Sequence, residues 1–263
     1  MSSASQAGQR ITVGRCEVYL HRMGSGVPVL YLHGTEGMSQ LDTGLALLAQ
    51  SHDVIAPDHP GYGQSGDSER VDTMSDLAMF YLDLLDTLKL NEVHLVGHSM
   101  GGWLALEIAV RNSTRLASLS LVNAAGIHVQ GVDKGDLFIC TPEESVSLLN
   151  HDAQAARARQ AAAASGVDPR VIYRNRVSTA RLCWSPRLFN PSLEKWLHRI
   201  SLPTLILWGE SDQVLPLAYA HQLAKCIGDA RLVTVPACGH NLPYEHPDRF
   251  ASELTTFIRS QVA

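Results

Sequence analysis

What the chain lacks narrows its function first. Its 263 residues contain no apolar run near the roughly 20 needed to cross a bilayer, so no membrane partner is expected. Residues 1–10 are mostly small and polar, lack the apolar centre of a signal peptide, and read as a short disordered tail. The five cysteines (Cys16, Cys140, Cys183, Cys226, Cys238) are scattered and form no C-x-x-C pair, a usage that suits free thiols in a reducing cytoplasm. A net charge of −5 is too mild to argue for nucleic acid or an anionic membrane surface. There is no H-E-x-x-H helix and no glycine-rich phosphate loop. His94 and His98 lie four residues apart on or near a strand, about 13 Å from each other, too far to share an ion. Neither metal nor cofactor is expected; a small-molecule substrate is, and oligomeric state is left open.

What is present reads as an α/β protein. A hydrophobic share of 45% and a charged share of 18% are ordinary for a soluble globular chain of one domain with a large insertion. Continuous apolar runs at Val27 to Leu32 and Leu202 to Trp208 fit central parallel strands buried on both faces. Val54 to Ala56, Val93 to Val96, Leu116 to Val122 and Leu232 to Val235 are further strands. Helices fall between them. Thr73 caps one running to about Lys89, and Pro247 opens another that buries Phe250, Leu254, Phe257 and Ile258. From Gly126 to Arg199 the alternation stops and the chain reads as helical throughout. Thr141-Pro142-Glu143-Glu144 opens one helix, an alanine-rich stretch ends at Gly166 as its C′ residue, and Asp168-Pro169 and Asn190-Pro191 open two more. This segment reads as a lid over the carboxyl edge of the sheet.

Gly97-His98-Ser99-Met100-Gly101 matches G-x-S-x-G, and its context is strand, sharp turn, then a helix apolar all round from Trp103 to Val110. A serine at such a turn is strained, and its flanking positions approach so closely that glycine is needed there. These residues resemble the α/β-hydrolase superfamily, specifically its small cap-bearing serine hydrolases, over about Ile11 to Ile258. The resemblance implies an α/β-hydrolase fold: a mostly parallel eight-stranded sheet flanked by helices, with a helical cap inserted after the sixth strand. The core would then span 11–125 and 200–263, and the cap 126–199.

Such enzymes order their catalytic residues as serine, acid, histidine. Ser99 is the expected nucleophile. His240, after Leu232 to Val235 and preceded by Gly239, is the expected base. The strand Leu202 to Trp208 is followed by Glu210 and Asp212, and the family pattern favours Asp212 to orient the base. Relatives with the acid after an earlier strand would carry it near Asn123, which cannot be an anion. The serine hydroxyl needs a base to become nucleophilic, and a carboxylate fixes the tautomer of that base. The resemblance also implies an oxyanion hole from the amides of Met100 and Thr35, with Glu36 as the rival to Thr35. His33 is read as holding that loop in shape, and Asp58 to Ser65 as scaffold.

Serine at 99 separates the chain from relatives that use aspartate there. The expected reaction is hydrolysis of a carboxylic ester, thioester or lactone. The alternatives are carbon–carbon hydrolysis of aromatic ring-cleavage products, or a lyase, cofactor-free oxygenase or ligand receptor on the same scaffold. The carbon–carbon hydrolases usually show a Gly/Pro-rich oxyanion loop and a Trp after the histidine, where this chain has Thr35-Glu36 and Asn241. Ile127 to Arg199 holds 10 of the 21 Lys+Arg and 7 of the 26 Asp+Glu, so one of Arg174, Arg176 and Arg181 could pair with a substrate carboxylate. Glu36, His98, Trp184 and Asn241 complete the candidate substrate-binding set.

Overall fold

Strand-length apolar runs bury both their faces, and this sets the architecture. The computed structural model describes residues 7–38, 43–163 and 168–262. Its eight strands are β1 (Ala7–Val13), β2 (Cys16–Met23), β3 (Val27–Leu32), β4 (His52–Pro57), β5 (Val93–His98), β6 (Leu116–Val122), β7 (Thr204–Gly209) and β8 (Ala230–Val235). They form one sheet in the order β1-β2-β4-β3-β5-β6-β7-β8. The pairs β1–β2 and β2–β4 are antiparallel; all others are parallel.

Alternation along each strand divides the core in two. Val29 and Tyr31 join Val54, Ala56, Val96, Leu205 and Leu207 beneath α1 (Thr43–Leu48) and α9 (Pro247–Arg259). Leu30 and Leu32 join Ile55, Leu95 and Leu119 on the opposite face. That face is covered by α2 (Met74–Thr87), α3 (Met100–Arg111) and α7 (Ala218–Cys226). Thr73 starts α2 through a reciprocal capping box with Asp76.

Between β6 and β7 lie α4 (Pro142–Leu149), α5 (Ala153–Ala163) and α6 (Pro169–Cys183). Thr141 and Asp168 cap α4 and α6 by accepting from Glu144 and Arg170 amides. A short α8 (Leu242–Glu245) precedes α9. Among the described residues no helix is long and apolar enough to cross a membrane.

Three expectations need correction. Strand β1 starts at Ala7, so a disordered tail does not extend to residue 10, and residues 1–6 lie outside the described residues. Pairing with β2, from Ala7↔Arg22 to Val13↔Cys16, supplies the backbone partners that a small, polar sequence does not advertise. The segment 126–199 is not helical throughout. Gly126 and Gly131 have φ of 119° and 75°, Gly126 bridges to Phe189, and no helix starts before Pro142. The helix expected after Asn190 is a 3-10 turn at Glu194–Arg199. Asn190 instead donates to buried Glu107 on α3 (2.8 Å) and caps the Ser192 amide. Gly166 lies outside the described residues.

Several histidines are buried and neutral. His33 Nδ1–H donates to the Gly34 carbonyl (2.7 Å), and its Nε2 accepts the His59 amide (3.0 Å). His59 in turn donates to the His33 carbonyl (3.1 Å) and meets the Tyr81 hydroxyl. Burial pushes His59 and His98 down to about 3 and His33 well below the ordinary histidine value. The unfolded chain takes up protons on these rings near pH 6.5, while the folded chain does not until far lower pH. Stability is therefore complete above about pH 7 and is lost as pH falls, by up to about 1.4 kcal/mol per pH unit for each ring. Urea-unfolding free energies should stay level above pH 7 and decline steeply below pH 6. A level profile down to pH 5 would mean that these rings protonate in the folded state.

Candidate active site

The carboxyl ends of the parallel strands collect the candidate residues at one sheet edge. Ser99 follows β5, His33 follows β3, Asn123 follows β6, Asp212 follows β7 and His240 follows β8. Loops at this edge are where open α/β sheets bind ligands.

Ser99 has φ 55° and ψ −119°, a conformation that costs a non-glycine residue on the order of 1–3 kcal/mol. The neighbours hold it there. A Cβ on Gly97 would lie 2.3 Å from the Gly101 carbonyl oxygen, and one on Gly101 would lie 2.0 Å from that of Leu32. The Ser99 amide donates to the Val122 carbonyl (3.0 Å), and its own carbonyl accepts from Gly102, Trp103 and Ala125. The side chain is thereby aimed at a fixed point.

At that point, Ser99 Oγ lies 2.8 Å from His240 Nε2, and His240 Nδ1 lies 2.8 Å from Asp212 Oδ2. Ser99, Asp212 and His240 are 3%, 5% and 1% exposed. Asp212 accepts from four donors: the Val214 and Leu215 amides on Oδ1 (both 2.8 Å), and Asn123 Nδ2 (2.7 Å) and His240 on Oδ2. Because a carboxylate only accepts, Nδ1 of His240 must carry the proton. Nε2 is then the acceptor that faces the serine hydroxyl. This tautomer follows from the network.

The His240 loop is strapped on every side. The Gly239 amide donates to Glu245 Oε1 (2.8 Å), whose other oxygen accepts the His151 amide (2.7 Å). The Asn241 amide donates to the Leu149 carbonyl (2.9 Å), and a Cβ on Gly239 would lie 2.7 Å from the His151 nitrogen. His98 Nε2–H donates to the His240 carbonyl (3.0 Å). Burial first, and the neighbouring His240 second, keep His98 neutral and so able to act as a donor in one tautomer.

The loop after β3 carries both candidate amides for the second oxyanion donor. Gly37 (φ 80°) donates its amide to Gly34 (3.2 Å), closing a turn over Thr35 and Glu36. The Glu36 side chain remains accessible to solvent yet is crowded by protein. Desolvation raises its pKa from the ordinary value, against the opposing pull of His240 and Arg176. The Met100 amide opens α3, where a helix leaves its first N–H groups without intrahelical partners.

The remaining candidates separate. Arg174 donates to the Gly63 carbonyl (3.1 Å) and pairs with Asp67 (3.3 Å), so its guanidinium serves the 61–67 turn. Arg181 lies against Gly61, where an added Cβ would meet it at 3.3 Å. Arg176 is the one of the three whose charge acts on Glu36. Trp184 is half exposed, packed edge-on to Phe138 with the Arg187 guanidinium over its ring. His98 and Asn241 are buried, as Ser99 and His240 are, and their hydrogen bonds hold the His240 loop. A cavity of about 640 Å³ lined by Asp136, Ile139, Glu143, Leu148 and Arg157 opens beside the 213–214 loop, and Ser99 does not line it. Among the described residues no three His, Cys, Asp or Glu could jointly hold a metal ion.

Sequence reasoning missed Asn123 as a donor to Asp212, and Asn175, Ser178 and Thr179 as partners of the loops beside Ser99. The spacing of those last three, one polar stripe on a helix, was the available signal.

The alpha/beta hydrolase family model matches residues 29–253. The chain belongs to that family. Among its relatives, 2-hydroxymuconate semialdehyde hydrolase of Pseudomonas sp. (strain CF600) is 28% identical, covering 97% of this chain and 95% of that one. Monoacylglycerol lipase ABHD6 of Homo sapiens is also 28% identical, covering 93% and 79%. Among solved structures, the meta-cleavage product hydrolase CumD from Pseudomonas fluorescens IP01 has a TM-score of 0.78 at 24% identity, covering 97% of this chain and 98% of that one. A thermophilic esterase from Thermogutta terrifontis has a TM-score of 0.75 at 26% identity, covering 98% and 100%. The chain is accordingly a hydrolase on the α/β-hydrolase fold.

In this hydrolase, Asn123 supplies one of the four bonds that hold Asp212. Replacing Asn123 by Ala should lower kcat/KM about tenfold, the worth of one hydrogen bond to a charged group. KM should be nearly unchanged, as steady-state kinetics on an ester would show. A variant equal to the parent would mean that Asn123 adds nothing to the alignment of Asp212 and His240.

Proposed function

We propose that this hydrolase cleaves a small-molecule carboxylic ester, thioester or lactone through an acyl-enzyme on Ser99. The observation that carries the reading is the unbroken run of 2.8 Å contacts from Ser99 Oγ through His240 to Asp212. In the first half-reaction Ser99 Oγ bonds to the substrate carbonyl carbon while His240 Nε2 takes its proton. The imidazolium then returns that proton to the leaving alcohol or thiol. In the second half a water attacks the acyl-enzyme, His240 takes its proton and passes it to Ser99, and the acid departs. Asp212 stays ionised and stabilises the imidazolium.

Negative charge gathers on the substrate oxygen in both halves. The Met100 amide is assigned as one donor and the Thr35 amide, with Glu36 as rival, as the other. One such donor is worth on the order of 3 kcal/mol of barrier. A cytoplasmic setting is supported by the five free cysteines.

A second reading, hydrolysis of a carbon–carbon bond in a ring-cleavage product, is favoured by the relatives called 2-hydroxymuconate semialdehyde hydrolase and meta-cleavage product hydrolase. Against it stand the Glu36 carboxyl in the oxyanion loop and Asn241 where the resemblance would put Trp. Both readings use Ser99 and differ in substrate.

A fluorophosphonate probe should label the parent at Ser99 and leave Ser99→Ala unlabelled. That variant should lose at least about a thousandfold in kcat on nitrophenyl esters. Rates across acyl chains of rising length should show one optimum. Labelling that persists in Ser99→Ala would overturn the assignment. Turnover of a 2-hydroxy-6-oxo-dienoate far above every ester would favour the second reading.

A further inference from the structure

The buried stripe of helix α6 ends in apolar Leu182 and Cys183 but begins with polar Asn175, Ser178 and Thr179, while Ile172, Tyr173 and Val177 are exposed. A helix normally buries its apolar stripe, so the inward polar residues need partners. The partners are backbone groups of the two loops beside Ser99. Asn175 Nδ2 donates to the Glu36 carbonyl (2.7 Å) and Thr179 Oγ1 to the Thr35 carbonyl (3.0 Å). Asn175 Oδ1 accepts the Gly63 amide (2.9 Å), and Ser178 Oγ donates to the Gly61 carbonyl (2.6 Å). The approach is tight enough that a Cβ on Gly37 would stand 2.5 Å from Asn175 Nδ2.

Counting protons fixes the direction of this network. A carbonyl only accepts, so the single hydroxyl proton of Thr179 goes to Thr35. The neighbouring Tyr62 hydroxyl, 2.8 Å from Thr179 Oγ1, must then donate to it. Burial raises the Tyr62 pKa well above the ordinary tyrosine value, so the phenol keeps that proton. Its oxygen also lies 3.5 Å from Met100 Sδ, beside the residue that supplies the first oxyanion amide.

In a trans peptide the N–H points opposite to the C=O. The carbonyl of Gly34, held by His33 Nδ1, shares its plane with the Thr35 amide. The carbonyl of Thr35, held by Thr179, shares its plane with the Glu36 amide. We propose that Thr179, backed by Tyr62, is a positioning residue that selects and orients the Glu36 amide, the rival to Thr35, as the second oxyanion donor by pinning the Thr35–Glu36 peptide from the opposite side. This rests on the acyl-enzyme reading of Ser99 and adds α6 to the machinery.

The test uses the full chain with nitrophenyl acetate and with phenylboronic acid, whose tetrahedral serine adduct places an oxygen where the oxyanion forms. Thr179→Val keeps the shape and removes the hydroxyl; it should lower kcat by about 10- to 100-fold with KM within about threefold of the parent. Boronate affinity should weaken by a similar factor. Thr179→Ser should restore both to within a few-fold, and Tyr62→Phe should give a smaller loss of the same kind. Should Thr179→Val not fold, Tyr62→Phe against the parent makes the same comparison. A variant that keeps kcat and boronate affinity within twofold overturns the proposal, as does a loss that Thr179→Ser does not rescue. Fluorophosphonate labelling separates the two levels: a labelled parent with silent variants sinks the role of Thr179 alone, whereas a parent unlabelled at Ser99 sinks the acyl-enzyme reading and this proposal with it.

Discussion

The contact between Gly97 and Gly101 is less than a side chain wide, and the rest of the site is arranged around it. A strand that must turn straight into a buried helix brings the residues on either side of the turn together. Ser99 is left with a positive φ and with its backbone bonded to β6 on one side and to α3 on the other. The strain is local and the restraint is distributed. Trp103, Leu104 and Ile108 of α3 are buried in the core, so shifting the helix to relax the serine would cost packed contacts. Once this side chain is fixed, every other group needs to reach it from its own strand end.

Asp212 and His240 reach it through loops that share partners. Gly209 and Gly239 approach so closely that a Cβ on Gly209 would lie 2.2 Å from the Gly239 carbonyl oxygen. The loop of Asp212 and the loop of His240 are thus held to one another. Asn123 adds a third strand end, donating to the carboxylate.

Legibility in the sequence followed the range of the interaction. Strands β3 and β7 were visible because burial on both faces leaves a continuous apolar run, and Thr73 and Thr141 announced α2 and α4 through local capping chemistry. The serine turn was visible because its steric demands fall on five adjacent residues. Strand β1 was not, since its partner lies across a turn and its composition is that of a tail. The inward face of α6 was not, because Asn175, Ser178 and Thr179 look like solvent residues until the loops they bond to are in place. His98 and Asn241 show the same limit: sequence adjacency put them beside Ser99 and His240, whereas their hydrogen bonds to the backbone of His240 and Leu149 depend on loops distant in the chain.

The crowd of histidines also has an electrostatic logic. The His98 and His240 rings are 5.5 Å apart. If both carried charge, their repulsion would be about 3 kcal/mol at an effective dielectric near 20. Burial removes that penalty by holding His98 neutral, and the Nε2–H of the neutral ring is spent on the His240 carbonyl. His33 and His59 are treated the same way, each bonded to backbone groups of the loop after β3 and of the turn after β4. Of these rings, His240 alone has a carboxylate bonded behind it. The chain thus sets one imidazole apart by bonding a carboxylate behind it, while its neighbours are buried and bonded to backbone groups.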